Sequence, residues 1–167
     1  MRLPVLIALS GLTLAMAACN TTGPGMGMSA ASTGAPVPVE GYDWFLHQDG
    51  DEARLAYGLE ESDDLRIGLD CRKNSGRLAL SALAPEGAAH EIHLESGGDT
   101  ERYPAEAEPS EVNDGLFLTA EAKAGDPVFQ HFRRLGWLAV WQADERHPYA
   151  PHPGSAERVE RFFAFCG

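Results

Sequence analysis

The chain has 167 residues, with 25 Asp and Glu against 13 Lys and Arg, for a formal net charge of −12. That surplus of negative charge repels phosphate backbones and anionic headgroups, which excludes a nucleic-acid partner and favours a basic protein partner. Residues 40–167 are enough for one domain with a real core. In chain order, Arg2 supplies a short positive start, and Leu3 to Leu14 is apolar apart from Ser10, Gly11 and Thr13. A dozen apolar residues are too few to span about 30 Å of hydrocarbon but fit the core of a signal peptide, read here as residues 1–18. Residues 20–39, NTTGPGMGMSAASTGAPVPV, carry no charge and no aromatic side chain. They cannot bury enough apolar surface to offset the entropy of ordering, so residues 19–39 read as a tether. A flexible tether of this length typically reaches about 25 Å and at most about 70 Å.

Between signal and tether stands Ala17-Ala18-Cys19, with Met16 before it. This stretch resembles the lipobox of the bacterial lipoprotein class, although Met16 occupies the position where Leu is usual. The resemblance implies lipid on Cys19, cleavage before it, and attachment to a membrane through that lipid. Asn20 is not the aspartate that retains such proteins in the inner membrane of enteric bacteria, which points to the outer membrane, facing the periplasm. Ordinary secretion is the alternative, since Ala15-Met16-Ala17 is an acceptable A-x-A cleavage site. Cysteine arithmetic weighs against it. Lipidation of Cys19 leaves Cys71 and Cys166, which can pair in an oxidising compartment.

The domain then reads as strands. DWFLHQ (43–48) opens it, and ARLAYGL (53–59) alternates through Leu55, Tyr57 and Leu59. LRIGLDCR (65–72) places Leu65, Ile67, Leu69 and Cys71 on one side, the strict period of two that marks a half-buried strand. KNSG turns the chain into RLALSAL (77–83), forming a hairpin. HEIHLES (90–96) follows, then TERYPAEAE, expected at a sheet edge because Pro104 cannot donate to a ladder. GLFLTAEA (115–122) alternates through Leu116, Leu118 and Ala120.

The period then changes to helical. Asp126 and Pro127 start a short helix with Val128, Phe129, Phe132 and Leu135 on one face, ended by Gly136. WLAVWQ (137–142) returns to strand, and ADERHPYAPHPG reads as a proline-rich loop. Ser155 is expected to cap a last helix whose Val159, Phe162, Phe163 and Cys166 form one apolar stripe. Cys71 and Cys166 both fall on buried faces, so a disulfide joining the final helix to the sheet is expected. The fold class is α+β, mainly β: a curved antiparallel sheet of about six to eight strands with one short helix and a C-terminal helix.

No catalytic constellation is legible. The chain lacks a G-x-S-x-G elbow and a phosphate-binding glycine loop, and both domain cysteines read as buried. His90 and His93 are three apart on a strand and face opposite sides. His147 and His152 share a loop without a carboxylate or cysteine set at metal spacing, and Met26 and Met28 are two soft ligands where more are needed. No metal or cofactor is expected, and a hydrolase, which would need His147, His152 and an acid to converge in a cleft, ranks below the non-enzymatic readings. Trp137 and Trp141, four apart on one strand, together with Tyr149, form the candidate binding surface, with core packing as the other use of such residues.

LRIGLDCRKNSGRLALS and RVERFFAFC are similar to stretches of uncharacterised small periplasmic proteins of alphaproteobacteria, in which a strand ending in Cys and a terminal helix near a second Cys recur. That resemblance implies no activity. The expectation is therefore a membrane-anchored envelope lipoprotein with a non-enzymatic binding or structural domain, the oligomeric state being open. The alternative is an inhibitor of a basic cell-wall hydrolase. Small lipid-anchored lysozyme inhibitors share a strand cysteine, a late cysteine and a mostly β domain. Their Ser-Gly-x-x-Tyr segment has no counterpart here, because Ser75-Gly76 leads into RLAL.

Overall fold

The structure, a computed structural model, describes residues 35–112 and 114–167. Alternating sequence builds strands β1 (Tyr42–Asp49), β2 (Glu52–Leu59), β3 (Leu65–Arg72), β4 (Arg77–Ala84), β5 (Glu91–Ser96), β6 (Asp99–Pro109) and β7 (Leu116–Lys123). Helix α1 (Pro127–Leu135) leads to β8 (Leu138–Gln142), β9 (Glu145–Tyr149) and helix α2 (Ala156–Cys166). The nine strands form one antiparallel sheet in the order β1-β2-β3-β4-β7-β6-β5-β8-β9. The mainly β architecture with one short and one C-terminal helix is as expected, with nine strands where six to eight were read.

The sheet curls almost into a barrel around both helices. α1 packs on β5 and β6, and α2 on β1, β2 and β3. The inward positions of the alternating strands supply the core: Leu55 and Tyr57, Ile67 and Leu69, Leu78 and Leu80, Ile92 and Leu94, against Phe129, Phe132, Phe162 and Phe163 of the helices. The end strands β1 and β9 are not laddered to each other. Side chains bridge the gap instead: the Trp44 indole N–H donates to the Tyr149 carbonyl at 3.4 Å, and Tyr57 stacks on Tyr149 at 4.7 Å. The outer edge of β1 is also occupied, because Arg158 donates to the Trp44 carbonyl at 2.8 Å. Such cover keeps an edge strand from recruiting other chains.

Four expectations change. The segment 99–109 is interior rather than at an edge. Its first part, through Pro104, pairs with β5, and its second part, from Ala105, pairs with β7. Pro104 sits where the pairing passes from one neighbour to the other, so its missing N–H interrupts neither ladder. The proline-rich loop contains β9, whose Trp141–Arg146 and Ala139–Pro148 registers extend the sheet. Pro148 is tolerated there because β9 is an end strand. Neither helix is capped by its own N-cap side chain. The Asp126 carboxylate accepts instead from the Tyr103 hydroxyl and the Lys123 amide, and the Ser155 hydroxyl donates to Asp43. Leu135, expected on the buried face of α1, is 43% exposed at its last turn.

The Cys71–Cys166 disulfide is present, with Cα atoms 5.9 Å apart, and it closes a separation of 95 residues. A loop of that length is worth about 4–5 kcal/mol in the chain-entropy account. Backbone bonds reinforce the junction: the Asn74 and Gly76 amides donate to the carbonyls of Phe165 and Cys166. The last turn of α2 is thereby fastened to the β3–β4 turn.

Candidate functional site

The face of the sheet turned away from the helices has two distinct regions. On β5, β8 and β9, the outward residues are His93, Glu95, Trp141 and Arg146, with Trp137 just before β8. Arg146 forms a two-pronged pair with Glu95 at 2.8 and 2.9 Å, and the Trp141 indole donates to the same carboxylate at 2.8 Å. The Arg146 guanidinium also lies 5.3 Å from the Trp137 ring centre, and His93 stacks on Trp141 at 5.9 Å. The Arg146 hydrogen bonds hold the Glu95 carboxyl below the usual glutamate range, and burial pushes the His93 imidazole down. Each of these polar groups except the His93 ring has a strong partner, and Trp137 is buried.

The candidate surface of Trp137, Trp141 and Tyr149 therefore does not assemble. Tyr149 pairs with Leu138 and points to the opposite, core side, where burial pushes its phenol up to about 12. Trp137 packs with Ala139 and Ala150. His147 and His152 do not converge either, since the His152 ring meets the Val39 carbonyl at 2.9 Å while His147 faces inward from β9. Among the described residues no group of three or more metal-ligating side chains comes together. Cys19 lies outside the described residues.

The second region is a groove of about 540 Å³ over β3, β4 and β7, bordered by the β2–β3 and β6–β7 turns. Its floor is low because the residues facing outward there are small. Gly68 pairs with Ser81, and a Cβ on Gly68 would come within 2.6 Å of the Ser81 hydroxyl and 2.7 Å of the Arg54 guanidinium. The Arg54 side chain can thus lie across β3, where it grips Asp70 at 2.9 and 3.1 Å. Desolvation nevertheless outweighs that cation and raises the Asp70 carboxyl above its ordinary value.

Two apolar side chains stand outward in this groove. Leu83 and Phe117 are directly opposed in the β4–β7 register, and Val112 joins them from the β6–β7 turn. Phe117 is 38% exposed and Val112 64%. Around them sit the carboxylates of Asp63, Glu108 and Glu111. The two arginines on the rim have spent their charge, Arg54 on Asp70 and Arg66 on Asp64. The three carboxylates have no ion-pair partner among the described residues.

Sequence reading did not find this groove, because its parts come from five strands and turns. A signal was nonetheless present: Leu83 and Phe117 are apolar at positions that the alternation of their own strands assigns to solvent. Comparison with known protein families, curated proteins and solved structures finds no match for this chain.

Proposed function

We propose that the chain is a cell-envelope lipoprotein, anchored to the outer membrane through lipid on Cys19 and facing the periplasm, whose domain is a non-enzymatic binding module. The observation that carries the binding role is the open groove over β3, β4 and β7, where apolar side chains and unspent carboxylates share one solvent-exposed cleft. A concave apolar site with a few convergent polar groups is the usual form of a recognition site. The anchorage is supported by the Ala17-Ala18-Cys19 stretch and by the pairing of the other two cysteines, which leaves Cys19 as the odd thiol.

The anchorage is tested by intact mass and fractionation. The mature chain should begin at Cys19, carry acyl chains and partition with membranes, and Cys19→Ser should release it into the soluble fraction. A mature chain without acyl groups ends that part of the reading. Inhibition of a basic cell-wall hydrolase is a second reading, favoured by the same carboxylates. Loss of muramidase activity on adding the protein would support it, and full activity at micromolar excess would remove it.

A further inference from the structure

We infer that the occupant of the groove is a cationic, amphipathic protein segment, one that interleaves Lys or Arg with apolar side chains. The inference rests on the reading of the domain as a binding module and names the partner's chemistry and the residues that meet it. Leu83, Phe117 and Val112 offer apolar contact that water cannot satisfy, and an exposed cluster of this kind marks a site of association. Asp63 and Glu111 on the turns, and Glu108 near the end of β6 opposite Phe117, stand around it without an ion-pair partner among the described residues, while Arg54 and Arg66 are each paired with an aspartate. The net field over the cleft is therefore negative despite two arginines in its wall. An anionic or purely apolar ligand would leave those carboxylates uncompensated at close range. A segment alternating basic and apolar side chains satisfies both sets at once.

The breadth of the cleft fits this occupant too. It runs from the β2–β3 turn across β3, β4 and β7 to the β6–β7 turn, which is wider than a single side chain requires. Charge at the rim then governs the rate of encounter and the choice of partner, while the apolar floor slows release.

The test uses the full chain in a nonionic detergent and a dye-labelled ten-residue peptide of alternating Lys and Leu, with fluorescence anisotropy read against a detergent blank. The expected dissociation constant is in the micromolar range. Replacing Leu by Ser in the peptide should weaken binding at least tenfold, and so should Glu108→Lys combined with Glu111→Lys. Phe117→Ser, a single exposed change, should do the same without altering net charge. The pair Glu86→Lys and Asp144→Lys, which changes net charge equally but lies in other turns, should leave binding within about twofold of the original. Equal weakening by both charge pairs would mean adsorption to a generally acidic surface and would overturn the inference. So would no binding of the Lys-Leu peptide, or equal binding of the Lys-Ser peptide. Each of these failures leaves the lipid anchorage on Cys19 untouched, and a missing acyl group leaves the groove's preference untouched.

Discussion

Two regions of one sheet face use the same residue types to opposite ends. Over β5, β8 and β9, arginine, glutamate and tryptophan close on one another, as in Glu95 with Arg146 and Trp141. Over β3, β4 and β7, an arginine and an aspartate pair in the same way, yet the neighbouring Glu108 and Glu111 have no ion-pair partner among the described residues and Phe117 stays exposed. The first region is the richer in aromatic rings and is the more closed of the two. Aromatic content alone therefore does not mark the open region of this face; unspent charge beside exposed apolar area does so better.

The largest effect that should separate the regions comes from the disulfide. α2 packs mainly beneath β1, β2 and β3. Cys71→Ala with Cys166→Ala should cost about 3–5 kcal/mol in urea unfolding. Hydrogen exchange should quicken in α2 and β1–β3 well before β5 and β8, and uniform loss of protection would break the contrast. Next comes Arg146→Ala, which strips the cation from a carboxylate whose side chain is only 13% exposed and leaves it the Trp141 indole alone. About 3 kcal/mol should be lost. A loss near zero would show that the aromatic region is as loose as the groove.

A third contrast is in acid. Glu95 is held below its ordinary value of 4.5, chiefly by the Arg146 hydrogen bonds, and Asp70 is raised above 3.8, chiefly by desolvation. Glu95 therefore contributes stability that is fully present above about pH 4.5 and is lost as pH falls through its lower folded value. Asp70 behaves in the opposite sense: the folded state takes up its proton first as pH falls, so protonation there favours folding. Carboxyl carbon NMR titrations should place the Asp70 midpoint on the high side of its ordinary value and the Glu95 midpoint on the low side. Shifts in the same direction would erase the distinction. The smallest expected effect is on the stability of groove variants. Glu108→Gln and Phe117→Ser should each stay within about 0.5 kcal/mol of the parent in thermal or urea unfolding, because exposed, unpaired side chains hold little of the fold.

The sequence made the strands legible wherever one face is buried and the other wet. LRIGLDCR and RLALSAL announce β3 and β4 because burial on one side alone enforces a period of two. The segment ERHPY does not, since β9 lies at the end of the sheet, where proline is tolerated and side chains are half-buried on both faces. β6 was misplaced for a related reason: its two pairing partners each use half of it, a tertiary fact that no local pattern carries. The cysteine pairing was readable from two buried-face positions. The groove was hidden because it depends on register: Gly68 opposite Ser81, and Leu83 opposite Phe117. Only the out-of-phase Leu83 and Phe117 hinted at it, and in isolation each passes for an ordinary surface hydrophobe.

The fastening of α2 has a consequence in time. Synthesis reaches Cys166 ninety-five residues after Cys71, so the β3 thiol has no native partner until nearly the whole domain has been made. The two aromatic helices that fill the curl are likewise late arrivals, following β7 and β9. Without them the inward faces of β1 to β5 lack the aromatic side chains they pack against, and Cys71 lacks its native partner. The native bridge can therefore close only in a chain made through to α2, so it doubles as a mark that the domain is complete.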